Sequence, residues 1–298
     1  MFGDGRVYSM GNNSTSISRV FTKKVFADLL NTGRNEIYDY VVQHYIGDYK
    51  GKTNRELISN IYSRMEESYR NEYFYMNTLL NKLLIGVHNV NTTTALSQLR
   101  IANHIADFVM INGEGRVYEI KSEQDNFNRL NEQLADYFTA FSLVSVLISE
   151  KEREHVECQL KKLGTMGKSV GIYVLTGNNT ISRKYVRHPR EFHDKLDARC
   201  LFTILRKTEY QNVLQRYFGT LPQVAPAFYF KECLSMFQEI PILESQKLVM
   251  EELKKRNHIK KEFFDTVPSE LKYIIYFYRV SKDEKTLNRF LNRTYGGW

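Results

Sequence analysis

The chain has 298 residues, 42% of them hydrophobic and 26% charged, with a formal net charge of +8. That is enough chain to bury a real core in one large domain or two modest ones. Its three cysteines, Cys158, Cys200 and Cys233, are widely spaced and odd in number. They argue against a disulfide framework or a Cys-based zinc site and point to a reducing compartment.

The charge is uneven. Residues 1–150 hold 15 Lys+Arg against 17 Asp+Glu, net −2, whereas residues 151–298 hold 27 against 17, net +10. A basic half suits a polyanion partner, most simply nucleic acid, although a solvated basic surface would have the same composition. The opening "MFGDGRVYSMGNNSTSIS" lacks the basic-then-apolar pattern of a signal peptide. The most apolar stretch, Tyr137–Ser149, is too short to span a bilayer. A cytoplasmic protein with no membrane partner is expected.

In chain order, residues 1–18 read as a flexible lead and residues 19–48 as helices broken around Asn31–Arg34. Residues 52–86 read as helix, started by Thr53 and Asn54 with Glu56 behind them and ended at Gly86. A hairpin follows: a strand over Ile105–Ile111, the Gly turn "NGEG" at 112–115, and a strand over Arg116–Lys121. Asp125–Phe141 is predicted helical, with Asp125 as its N-cap. Leu143–Ser149 reads as a buried strand, "KEREHVECQLKKLG" as a helix and Val170–Thr176 as a strand. Beyond about residue 180 only helical patterns recur. The implied class is α/β, a mixed sheet flanked by helices. The expected division is a helical N-terminal extension at 1–64, a core at 65–180 and a basic all-helical module at 181–298. "GTMGKS" (Gly164–Ser169) tempts toward a phosphate-binding loop. Lys162 stands where that loop needs its first Gly, and a helix precedes the segment where a strand should, so it reads as a turn.

Asp107, Glu119 and Lys121 stand out because charge inside apolar strands needs a reason. Side chains two apart on a strand share a face, so Glu119 and Lys121 project together. A partly buried charge costs several kcal/mol unless it is paired. Two carboxylates on adjacent strands can share a hard divalent cation, Mg²⁺ or Mn²⁺, and without one they repel. A neighbouring Lys can stabilise charge growing on a phosphoryl oxygen. The alternative is a snorkelling strand-end Lys121 with Glu119 as its partner.

Asp107, followed across a hairpin by Glu119-Ile120-Lys121, resembles the motif of the PD-(D/E)XK nuclease superfamily. "QLADY" places Gln133 and Tyr137 at the Q-x-x-x-Y spacing of its RecB-like branch, and "RNEYFYMNTLLNKLL" puts Glu72 on the first core helix, where many relatives hold a third acid. The resemblance covers residues 65–180. Ala106 stands where that motif often has Pro. It implies a restriction-endonuclease-like core. Asp107, Glu119, the Ile120 carbonyl and Glu72 would bind Mg²⁺ or Mn²⁺, Lys121 would act on the attacking water and scissile phosphate, and Gln133 and Tyr137 would position substrate. The expected function is a metal-dependent nuclease acting on DNA, and phage defence, mobile-element biology and repair all suit such an enzyme. The alternative is a nucleic-acid-binding or regulatory protein with a nuclease fold that is inactive alone or needs a partner subunit. A homo-oligomer is compatible with either.

Overall fold

A computed structural model describes residues 13–68, 70–85, 90–123, 125–182, 184, 186–256, 259–279 and 284–296. Helices α1 (Asn13–Ser18), α2 (Lys23–Thr32), α3 (Glu36–Tyr45), α4 (Asn54–Ser68) and α5 (Glu72–Leu80) come first. Strands β1 (Thr94–Ile101), β2 (His104–Asn112) and β3 (Glu114–Lys121) follow, then α6 (Leu130–Tyr137), β4 (Leu143–Ser149), α7 (Arg153–Lys161), α8 (Gly164–Ser169) and β5 (Gly171–Leu175). Helices α9 (Ala198–Thr203), α10 (Lys207–Phe218), α11 (Pro226–Gln238), α12 (Ile242–Lys254), α13 (Lys261–Thr266) and α14 (Glu284–Leu291) complete the order. Among the described residues no helix is long and apolar enough to cross a membrane.

Two compact units result: residues 1–77 with 262–298, and residues 78–261. These borders differ from the 64/65 and 180/181 divisions read from the sequence. The reason is packing. Leu201, Phe202, Val213, Phe237, Val249 and Leu253, all beyond residue 181, lie in one buried cluster with Val109, Val117, Val146 and Ile172 of the sheet. Only the residues from 262 onward join the N-terminal helices. Asn54 shows how. Its side chain donates to the Phe290 carbonyl (3.0 Å) and accepts from the Tyr38 hydroxyl (2.8 Å), while its amide donates to the Arg293 carbonyl (3.0 Å).

Local chemistry sets the helix ends in the first unit. The break between α2 and α3 falls at Gly33, in the left-handed region with φ 76°, and the Asn35 side chain caps the next helix by accepting from Ile37 and Tyr38. The expected start of α4 is a reciprocal cap: the Thr53 amide donates to Glu56 (2.8 Å) and the Glu56 amide to Thr53 Oγ1 (3.3 Å). The long helix expected after it is two, because Asn71 Oδ1 accepts from the Phe74 amide (3.1 Å) and starts α5 afresh. Gly86, the expected end, lies outside the described residues. Of the lead read as flexible, residues 1–12 lie outside them too, and Asn13–Ser18 is helical.

The second unit is a mixed sheet flanked by helices, as the sequence implied. Its order is β1-β2-β3-β4-β5, with β1–β2 and β2–β3 antiparallel and β3–β4 and β4–β5 parallel. The turn between β2 and β3 is tight: Asn112 pairs with Glu114 across Gly113, whose φ of 79° a side-chain-bearing residue would resist. Strand β1, not foreseen, completes the sheet on the far side of β2. The segment read as a turn at 164–169 is helix α8 instead. It packs so closely on α7 that a β-carbon on Gly167 would lie 1.9 Å from the Leu160 carbonyl oxygen, which is why glycine stands there.

One irregularity bears on function. Pairing of β1 with β2 runs from Thr94↔Ile111 to Ile101↔His104 but omits the rung at Gln98 and Asp107. Gln98 has φ 55°. Across this rung the inward faces slip by one residue: Leu96 and Leu99, and likewise Ala106 and Val109, lie three apart yet border the same core. Strand alternation would otherwise put members of each pair on opposite faces.

Candidate active site

Asp107 sits where three strands part company. Beyond the slip on the β1 side, the ladder between β2 and β3 ends at Phe108↔Tyr118. The Ile120 amide, left without a strand partner on that edge, donates to Asp107 Oδ2 at 2.8 Å. The N–H and C=O of one strand residue point to the same edge, so the Ile120 carbonyl also faces the Asp107 side.

Glu119 is 1% exposed and is held by three donors. Lys121 Nζ lies 2.8 Å and Gln133 Nε2 2.6 Å from Oε1, and the Tyr137 hydroxyl lies 2.6 Å from Oε2. Lys121 Nζ also donates to Gln133 Oε1 (3.0 Å), and the Tyr137 hydroxyl lies 2.9 Å from the Ile105 carbonyl oxygen. The Q-x-x-x-Y spacing explains the reach. Gln133 and Tyr137 are one turn apart on the buried face of α6, so both approach the same carboxylate. Burial raises the Tyr137 pKa, and the charge of Glu119, the hydrogen bond to it and the charge of Asp107 push it further, so the phenol stays protonated.

The structure therefore brings Asp107, Glu119, Ile120, Lys121, Gln133 and Tyr137 together. Glu72 belongs to the other compact unit, exposed in the first turn of α5; burial raises the Tyr278 pKa there, a hydrogen bond with Tyr273 lowers it, and the charge of Glu72 makes a smaller raising contribution. Among the described residues no group of three or more His, Cys, Asp and Glu side chains could hold a metal ion; the acids of the candidate site are Asp107 and Glu119. Their carboxylates and the Ile120 carbonyl form an all-oxygen donor set, which suits Mg²⁺ or Mn²⁺. Glu119 Oε2, with the Tyr137 hydroxyl as its donor, keeps a second acceptor direction.

Asp125 does not cap α6. It turns back, and its Oδ2 accepts from the Ser122 amide (2.8 Å) and hydroxyl (2.7 Å), closing the chain just after the strand. Sequence reading also passed over Asp136. Its Oδ2 accepts from the Asn103 amide (3.0 Å) and sits 2.7 Å from His104 Nδ1. The available signal was its place inside "QLADY", next to Tyr137.

The family profile of bacteriophage P4 protein cII matches residues 65–274, a span that holds every candidate site residue. The chain belongs to that family. Protein cII of Enterobacteria phage P4 is 22% identical over 172 residues, 57% of this chain and 61% of that protein. The chain thus spans less than two thirds of the length of this curated relative. No solved structure matches.

Proposed function

We propose that this protein is a metal-dependent nuclease of the PD-(D/E)XK type that hydrolyses phosphodiester bonds, with DNA as substrate. The observation that carries the reading is the convergence on one buried carboxylate, Glu119, of Lys121, Gln133 and Tyr137, with Asp107 holding the next backbone amide. A plain structural ion pair needs neither the second carboxylate nor the broken strand rungs around it. Asp107, Glu119 and the Ile120 carbonyl would hold Mg²⁺ or Mn²⁺. When bound, the ion would polarise the phosphodiester and make water nucleophilic near neutral pH. Lys121 supplies the positive charge that developing phosphoryl charge requires, while Gln133 and Tyr137 fix the Glu119 carboxylate in place. The basic excess of residues 151–298 suits a polyanionic substrate.

The test is cleavage of linear and circular duplex DNA, single-stranded DNA and RNA with Mg²⁺, Mn²⁺ or EDTA, beside Glu119→Ala and Lys121→Ala. The expected result is cleavage that needs the metal and is lost in both variants. Normal folding and nucleic-acid binding without cleavage of any substrate would overturn it in favour of a binding protein or one that needs a partner subunit.

A further inference from the structure

We propose that Asp136 and His104 are positioning residues for the reaction, holding the Tyr137 hydroxyl in place against Glu119 without touching that carboxylate themselves; the inference rests on the nuclease reading. Their side of the sheet is fixed by what His104 meets. On β2 it shares a face with Ala106, which lies in the buried cluster with Leu130, Leu134 and Tyr137 of α6. Its Nδ1 sits 2.7 Å from Asp136 Oδ2 on that same helix. Gln133 and Tyr137 reach Glu119 from α6 as well. Asp136 and His104 thus stand on the α6 side of the sheet, the side of Glu119 and Lys121.

The contacts close a circuit. Asp136 Oδ2 also accepts from the Asn103 amide (3.0 Å), so one carboxylate oxygen takes both groups at the β1–β2 turn. The next residue along β2, Ile105, has its carbonyl oxygen 2.9 Å from the Tyr137 hydroxyl, and that hydroxyl lies 2.6 Å from Glu119 Oε2. Asp136 and Tyr137 are consecutive in α6, as are Asn103, His104 and Ile105 on the other side of the circuit. A phenol has one proton, and here two acceptors compete for it. How firmly Glu119 is held therefore depends on where the Ile105 carbonyl stands, and Asp136 sets that by tying the turn to α6. The turn is kept against its own preference: Ala102, in it, has φ 49°, in the left-handed region. The Asp136 and His104 side chains are mostly shielded from solvent, so salt and water weaken their contact little.

A double-mutant cycle tests the route as well as the effect. Values of kcat and KM are measured on the nucleic acid that wild type cleaves, well below the melting temperature of every variant. The variants are Asp136→Ala, Asp136→Asn, His104→Ala, Tyr137→Phe and Asp136→Ala in the Tyr137→Phe background. Asp136→Ala is expected to lose about tenfold in kcat, the scale of removing a group that orients a metal-binding side chain, with KM within about twofold. His104→Ala should lose less, because the Asn103 amide still meets Asp136. Asp136→Asn keeps an acceptor oxygen for the amide and the imidazole and should recover most of the rate. In the Tyr137→Phe background the loss from Asp136→Ala should shrink to about twofold or less, since the hydroxyl through which Asp136 acts is gone. A fold-only role would lower the rate equally in both backgrounds. Full kcat in Asp136→Ala, no recovery in Asp136→Asn, or an undiminished loss in the Tyr137→Phe background overturns the role and leaves the nuclease reading standing. Failure of the wild-type chain to cleave any nucleic acid overturns the nuclease reading and this inference with it.

Discussion

Among the described residues of the second unit, two buried acid–base pairs are built to opposite plans. Glu209 at the start of α10 meets Arg256 just past the end of α12, with side chains 11% and 10% exposed. Every group there is used for holding. Arg256 donates to both Glu209 oxygens (2.8 and 2.6 Å) and to the Ile204 carbonyl, and the Arg206 amide donates to Glu209 as a helix cap. The planar fork of arginine matches a carboxylate, so this pair clamps two helices. Glu119 and Lys121 instead sit two residues apart on one strand, and the ion pair itself spans no two elements, although Gln133 and Tyr137 of α6 bond to it. The ammonium is a single point charge, and a second carboxylate, Asp107, stands beside the pair. A clamp is satisfied by its own geometry, whereas the strand pair has a second carboxylate beside it, held by the Ile120 backbone amide.

Breaking each pair should therefore read out differently, and this is the largest effect expected. Lys121→Met should reduce cleavage by about 10²–10³-fold, the scale of losing one charge stabiliser. Its stability should fall by only about 2 kcal/mol, because Gln133 and Tyr137 still donate to Glu119. Arg256→Met should cost about 3–5 kcal/mol, the penalty for stranding a buried carboxylate. Below its lowered melting temperature it should still cleave. Denaturant melts and cleavage rates on both variants check the contrast, and equal losses of stability would erase it.

The clamp also carries a pH signature. Burial alone would raise the Glu209 pKa, but hydrogen bonds from Arg256 and the Arg206 amide, with their charges, outweigh it and leave it below the ordinary value. A carboxyl group lowered on folding contributes stability that is present above its unfolded value, about 4.3, and disappears as pH falls through the folded value. Wild type and Glu209→Gln should thus differ in melting temperature at pH 7 and converge in strong acid.

Tyr137→Phe tests the strand pair more gently. It removes the hydroxyl that donates to Glu119 Oε2 and lies 2.9 Å from the Ile105 carbonyl oxygen, at a cost of about 1–3 kcal/mol. Cleavage should fall roughly tenfold, since Glu119 is loosened rather than removed. The sign of the pH effect is opposite to that of Glu209. The raised Tyr137 pKa gives stability that is complete below pH 10 and lost above it. The variant should be less sensitive to alkali than wild type.

Legibility in the sequence followed the same divide. Strands β4 and β5 announced themselves because largely apolar runs bounded by Gly or polar residues leave few alternatives, β3 through the Gly turn that pairs it with β2, and Leu143–Ser149 matches to the residue. Gln133 and Tyr137 were legible because helical spacing fixes a common face. Strand β1 was not, since "TALSQLRI" mixes polar residues at its centre, where the slip at Gln98 breaks the alternation that would reveal it. Nor was the division into units. Helices α9–α12 carry ordinary amphipathic patterns, and nothing local says that their apolar sides complete the core of the sheet rather than a module of their own.

The smallest effect is the most discriminating. The clamp region, from α9 to Arg256, contains no non-glycine residue with positive φ among the described residues, whereas the hairpin beside Asp107 contains Gln98 and Ala102. A left-handed side-chain-bearing residue costs about 1–2 kcal/mol, and glycine there would give back about 0.5–1 kcal/mol through the entropy of its unfolded chain. Gln98→Gly should therefore be neutral or stabilising by up to about 1 kcal/mol, as no described contact of the side chain is lost. If the kink serves only the fold, cleavage should be unchanged or improved with stability. If it aims Asp107 at substrate, the relaxed backbone should lower kcat/KM several-fold in a protein that melts no earlier than wild type. Strain kept where it weakens the fold and strengthens the reaction would mark the Asp107 rung as built for substrate.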